Sequence, residues 1–170
     1  MSGAVYRFTE ETATFSPAAL LSGEVSFVGE KIAISPWLEV TQADIDLFGM
    51  ATKDPDPMHD DPEWARQNSP FGATIAYGFQ TLSLLSHLNH LALPWPDTVA
   101  YGLNYGLERV RFLHPVIVGA SIRAHIHLKG FRSEDDGRRR FETTDVVEIK
   151  GVEKPALIAD RIGYLVMAQS

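Results

Sequence analysis

Cysteine is absent from all 170 residues of the chain. Disulfides, thiol nucleophiles, thiolate zinc sites and iron–sulfur clusters are excluded together by that one fact. Positive charge is also scarce: 15 Lys and Arg stand against 22 Asp and Glu, a formal net charge of −7. That balance is a poor basis for gripping a phosphate backbone, so no nucleic-acid partner is expected. No apolar run approaches the roughly 18 residues a spanning helix needs, and no basic stretch followed by an unbroken apolar one opens the chain. A soluble, cytoplasmic protein without a membrane partner is expected. Glycine-rich phosphate loops and a Gly-x-Ser-x-Gly elbow are missing as well, which argues against nucleotide binding and α/β-hydrolase chemistry.

What remains is ordinary globular material, 45% hydrophobic and 10% aromatic, in a length that suits one core. Residues 1–34 are the least patterned and read as an N-terminal extension leading into a first strand over residues 25–34. Residues 35–170 carry the rest of the domain. Thr41 with Asp44 resembles a capping box, and Ile45, Phe48 and Ala51 follow at helical spacing, which predicts a helix over residues 42–52. Asp54-Pro55-Asp56-Pro57 must break it. Asp61-Pro62-Glu63 then opens a short helix through Gln67. Ile75, Phe79, Leu82, Leu85, Leu88 and Leu91 mark a long helix over residues 76–91, apolar around much of its circumference and therefore expected to be buried.

The second half reads as strands, over residues 103–113, 121–130, 140–149 and 157–167. Residues 121–130 alternate strictly, with Ile122, Ala124, Ile126 and Leu128 on one face and Arg123, His125, His127 and Lys129 on the other. A turn between Asp135 and Asp136 would pair residues whose numbers sum to 271. Arg123 then meets Glu148, Lys129 meets Glu142, Ile122 meets Ile149 and Ala124 meets Val147, a self-consistent hairpin. The same register buries Asp145 beside Ile126, so a local bulge is expected there. One buried helix beside an antiparallel sheet of about five strands is an α+β arrangement.

Asp54 and His59 are the residues most suited to chemistry. The two prolines between them stiffen the loop, and a carboxylate beside an imidazole can orient a ring that moves a proton near neutral pH. A capped loop with Asp54 on local amides and His59 at the surface has the same spacing, and both readings stand. Shortly after comes Phe71-Gly72-Ala73-Thr74-Ile75-Ala76-Tyr77-Gly78-Phe79, leading into the long helix. A helix N-terminus offers unpaired amides to a developing oxyanion, and Gly78 would let a carbonyl approach or simply let the helix pack closely. His87 and His90 lack an evident third ligand, so no metal is expected. His125 and His127 read as a solvated or interface stripe, and Trp37, Trp64 and Trp95 as packing residues.

Asp54-Pro55-Asp56-Pro57-Met58-His59 with Asp61-Pro62, the segment Phe71 to Ser86, and Asn104-Tyr105-Gly106-Leu107-Glu108-Arg109-Val110-Arg111-Phe112 together resemble the MaoC-like dehydratases. These are (R)-specific enoyl-CoA hydratases of hotdog fold, and the likeness is strongest to their NodN-like branch. The resemblance implies a sheet wrapped around one central helix and reversible hydration of a 2-enoyl thioester in fatty-acid metabolism. Asp54 and His59 would be the catalytic pair, Gly78 the oxyanion amide and Ser86 a serine near the catalytic carboxylate. Tyr77, Arg109 and Arg111 would contact substrate. The partner would be an acyl-CoA or acyl carrier protein thioester, with no cofactor beyond the coenzyme A of the substrate, in a homodimer or higher homo-oligomer. Three residues depart from the pattern: Lys53 replaces a glycine, Asp56 an asparagine and Tyr77 a histidine. A non-catalytic hotdog subunit binding acyl thioesters and a hotdog thioesterase are the alternatives.

Overall fold

The computed structural model describes residues 8–12, 16–22 and 26–168. In chain order the elements are α1 (Pro17–Leu21), β1 (Lys31–Ile34), β2 (Leu38–Glu39), α2 (Gln42–Thr52), α3 (Pro57–Asp60), α4 (Pro62–Asn68), α5 (Gly78–Ala92), β3 (Val99–Phe112), β4 (Ser121–Ser133), β5 (Arg139–Ile149) and β6 (Val152–Met167). The strands form one antiparallel six-stranded sheet in the order β1-β4-β5-β6-β3, with the two-residue β2 also on β4. Six strands stand where about five are expected, because β2 is too short to leave a periodic signal. The expected first strand over 25–34 shortens to β1, since residues 26–30 form turns and Val25 lies outside the described residues.

α2 has the bounds its capping box implies: Thr41 accepts from the Asp44 amide while the Asp44 carboxylate accepts from the Thr41 amide. α5 begins two residues later than expected, at Gly78, because Ala76 donates to the Val116 carbonyl and Ile75 bridges Ile117, which holds that stretch extended. α5 then lies across the sheet with Leu85 and Leu88 in the core, among Ile122, Ala124, Ile126 and Leu157.

The β4–β5 hairpin has the expected register from Ile122↔Ile149 through Ile126↔Asp145. The expected bulge is not at Asp145. It falls between Leu128 and Gly130, so Glu142 meets Gly130 instead of Lys129. The displaced Lys129 reaches Glu108 at 3.1 Å and Asp160 at 3.3 Å. Asp145 is buried without any bulge because Asn89 and Arg161 hydrogen-bond to it.

The stripe read as solvated or interface is covered at Arg123 and His125. Arg123 and His125 are buried under Glu10, Phe8 and Trp37: Arg123 pairs with Glu10 and Glu148 and lies 4.4 Å from the Trp37 ring, and the Phe8 ring sits 5.0 Å from that of His125. Burial lowers the pKa of both His125 and His127 below the ordinary histidine value. In acid the unfolded chain therefore takes up protons before the folded one does. This contribution to stability is complete above about pH 6.5 and is lost as the pH falls below it. The melting temperature is expected to drop between about pH 7.5 and pH 5.5, and a His125→Leu variant to lose part of that drop; a flat profile would contradict the burial effect.

α5 is not buried on every side. Phe79 is 70% exposed, and β3, the edge strand, exposes Tyr101, Leu103, Tyr105, Leu107 and Phe112 along most of its length. A long apolar edge strand is unusual on a protein that stays alone. No helix among the described residues is long and apolar enough to cross a membrane.

Candidate active site

The loop between α2 and α3 is fixed at both ends. α2 closes with Lys53 in the left-handed region at φ 59°, the Lys53 amide bonding to Met50 and the Asp54 amide to Gly49. This paired closure is the one that glycine usually makes. Lys53 makes it with a Cβ, at a cost of about 1 kcal/mol. A Lys53→Gly variant is expected to gain somewhat less than that, because glycine also loosens the unfolded chain; a melting temperature unchanged or lowered would contradict the strain.

The Asp54 amide is thus tied to α2, and its carbonyl accepts a hydrogen bond from Tyr77 Oη at 2.8 Å. Its exposed carboxylate makes no hydrogen bond among the described residues. Asp56 caps α3 by accepting from the Met58 amide, and Pro57 fills the first helical position. His59 therefore rides on a single helical turn instead of merely preceding one. Gln42 donates to the His59 carbonyl and accepts from Thr74, and the Ile75 amide bonds to the Met58 carbonyl.

The ring of His59 is held from two directions. Nδ1 lies 2.7 Å from the Ile75 carbonyl oxygen. A carbonyl can only accept, so Nδ1 carries the proton, and in the neutral ring Nε2 is the acceptor. The Tyr77 ring stacks against the imidazole with centroids 3.7 Å apart. Asp54 is expected to orient the imidazole; Ile75 and Tyr77 hold it instead, and the Asp54 carboxylate has no hydrogen bond of its own among the described residues.

Tyr77 itself is only 5% exposed. Burial first, and then the carboxylates of Asp60, Asp54 and Asp56, raise its phenol pKa, which keeps it a hydrogen-bond donor. It braces the loop from within, a role no pattern in the sequence announces. Gly49 makes room for it: a Cβ there would lie 2.5 Å from the Tyr77 oxygen.

Gly78 is the first residue of α5. No side chain caps that terminus, and the first amides of a helix have no intrahelical acceptor. A Cβ on Gly78 would stand 3.2 Å from the Phe112 ring, so the glycine also permits this close packing. His59 and Gly78 line one cavity of about 300 Å³, together with Thr81, Phe112 and Val116.

The other expected site residues lie elsewhere in the chain. Ser86 is two turns further along α5, about 12 Å by helical rise, where it accepts from Asn104 Nδ2 at 2.8 Å. Arg109 pairs with Asp160 at 3.4 Å, and Arg111 donates to the Val110 carbonyl. Val110 between them packs on the core, so strand alternation turns both arginines to the opposite face, away from α5.

Residues 24–151 match the model of the family described as MaoC like domain. The chain belongs to the MaoC-like family. Nodulation protein N of Rhizobium leguminosarum bv. viciae is 44% identical over 139 residues, spanning 81% of this chain and 85% of that protein. A 3-hydroxyacyl-thioester dehydratase Z of Mycobacterium tuberculosis is 42% identical over 134 residues, spanning 79% and 87%. Among solved structures, an (R)-hydratase from A. caviae involved in PHA biosynthesis superposes with a TM-score of 0.66 at 23% identity, covering 83% of this chain and 98% of that one. The sheet wrapped on α5 is thus the hotdog fold. In this MaoC-like chain the segments carrying Asp54, His59 and Gly78 all lie within the matched residues.

Proposed function

We propose that this hydro-lyase of the hydratase type adds water reversibly across the 2,3 double bond of a 2-enoyl thioester, with His59 as the base towards water. The observation that carries this reading is the bond from His59 Nδ1 to Ile75, which makes Nε2 the accepting nitrogen of the neutral ring in the same cavity as the open N-terminus of α5. The thioester carbonyl sits against the Gly78 amide. Water is held between His59 Nε2 and the Asp54 carboxylate. As its oxygen bonds to C3, Nε2 takes one of its protons and the C2–C3 electron pair moves to the thioester oxygen. Unpaired amides and the helix dipole stabilise that charge where it develops. The proton taken from water is then delivered to C2, so water is added whole and the imidazole returns to its starting state. Dehydration runs the same steps backwards.

The exposed apolar edge of β3 with Phe79 fits a second copy of the chain, joined edge to edge. Pairing there would cover Leu103, Tyr105, Leu107 and Phe112 and bring the Ser86 flank of one α5 towards the partner. Crotonyl-CoA, with enoyl absorbance and free thiol followed on the same sample, tests the reaction. Absorbance loss without thiol release supports hydration. Thiol release would make the protein a thioesterase, and thermal stabilisation by acyl-CoA with no turnover would make it a binding subunit.

A further inference from the structure

Two turns beyond Gly78, polar side chains from α5 and three strands are strung together between the helix and the sheet. Ser86 accepts from Asn104, and Asn104 Oδ1 accepts from Arg161 at 3.1 Å. Arg161 also donates to Asp145 Oδ2 at 2.9 Å, where Asn89 donates at the same distance. Asp145 is fully buried, and its Oδ1 has no partner among the described residues. A buried pair with an orphan oxygen is costly beside an apolar packing of the same volume. Yet this network borders two adjoining cavities, of about 90 and about 410 Å³, that share Ser86, Asn104 and Arg161 as lining. The remaining wall of the smaller one includes Leu93, Trp95 and Phe141.

The network has donors to spare. Arginine carries five N–H groups, and Arg161 uses two of its own among the described residues. Asn104 Nδ2 has a second hydrogen, and the Ser86 hydroxyl, an acceptor here, keeps its proton. The charge of Arg161 is balanced by Asp145, so a further carboxylate would face that buried anion. The spare donors suit a neutral oxygen. A plain hydrocarbon chain would strip water from these groups and return no bond, roughly a tenfold loss of affinity or more for each one left unpaired.

We infer that Asn104, Arg161, Asn89 and Ser86 select an acyl group bearing a neutral hydrogen-bonding oxygen, a hydroxyl or keto group, on the part of the chain remote from the thioester. This rests on the thioester reading above, with α5 as the wall running from the Gly78 amide to the network. Among the four residues, Asn104 and Arg161 face the ligand from the sheet, Ser86 faces it from the helix, and Asn89 positions Arg161 through Asp145.

Calorimetric titration of the full chain with octanoyl-CoA and a set of its derivatives hydroxylated singly at C5 to C8, isomers of one another, tests the selection. At least one hydroxylated isomer is expected to bind about tenfold more tightly than octanoyl-CoA. Asn104→Leu and Asn89→Leu are each expected to bring that ratio close to one. Octanoyl-CoA binding as tightly as every isomer would overturn the proposal, and so would a preference unchanged in both variants. These ligands carry neither a 2,3 double bond nor a 3-hydroxyl, so the preference is readable without turnover. Absence of hydration with this preference intact would sink the catalytic reading alone, while absence of binding by any acyl-CoA would sink both.

Discussion

A His59→Asn variant is expected to lose two to four orders of magnitude in kcat/KM on crotonyl-CoA, the usual contribution of a positioned base, while staying folded. The asparagine amide nitrogen stands close to where Nδ1 stands, so it keeps the donor to the Ile75 carbonyl but offers no base in place of Nε2. Tyr77 still closes over the site through its bond to the Asp54 carbonyl. Asp54→Asn is expected to lose a comparable factor, since an amide cannot hold the attacking water as a carboxylate does. Tyr77→Phe keeps the stacked ring and removes only the tether to Asp54, so its loss should be smaller than either. Steady-state kinetics with melting curves on the three variants separate these effects. Near-normal turnover in His59→Asn would remove His59 from the chemistry.

The largest effect on stability is expected at Arg161. Its guanidinium is the only cation hydrogen-bonded to Asp145 among the described residues, and the Asp145 side chain is 0% exposed. Arg161→Met would leave that carboxylate buried and uncompensated, which costs roughly 3–5 kcal/mol. For a domain of this size the melting temperature should fall by about 10 °C. Pairing it with Asp145→Leu should recover much of the loss, because an apolar pair of similar volume often equals or exceeds a buried ion pair. A double-mutant cycle by chemical denaturation measures the coupling. An Arg161→Met variant as stable as the parent would mean that Asp145 is not held as a charged group.

The hairpin and the α2–α3 loop are legible in the sequence because their signals are local. Alternation fixes the face of each β4 residue, opposite charges at Arg123 and Glu148 fix the register, and a capping box fixes where α2 starts. Asp54 and His59 are separated by two prolines that leave little freedom to the loop. The rest depends on contacts distant in sequence. Tyr77 is aromatic among apolar neighbours, and nothing nearby says that its hydroxyl reaches back 23 residues to Asp54. Phe79 fits the apolar period of α5 and is exposed all the same, because periodicity cannot tell a core within the chain from a face awaiting another. Arg123 and His125 fall on the polar face and are buried by Glu10, Phe8 and Trp37 from other segments. Asp145 on the apolar face of β5 is a visible exception to its pattern, and Arg161 lies inside the last strand. Only the fold shows that each answers the other.

Hydration by a base at His59 is tested most directly by incubating the protein with crotonyl-CoA in water labelled with heavy oxygen and locating the label by mass spectrometry. The expected product is an intact thioester carrying one labelled oxygen at C3, formed at a rate that collapses in His59→Asn. Label in the carboxylate of a released acid, or an unlabelled enoyl thioester recovered unchanged, would contradict it.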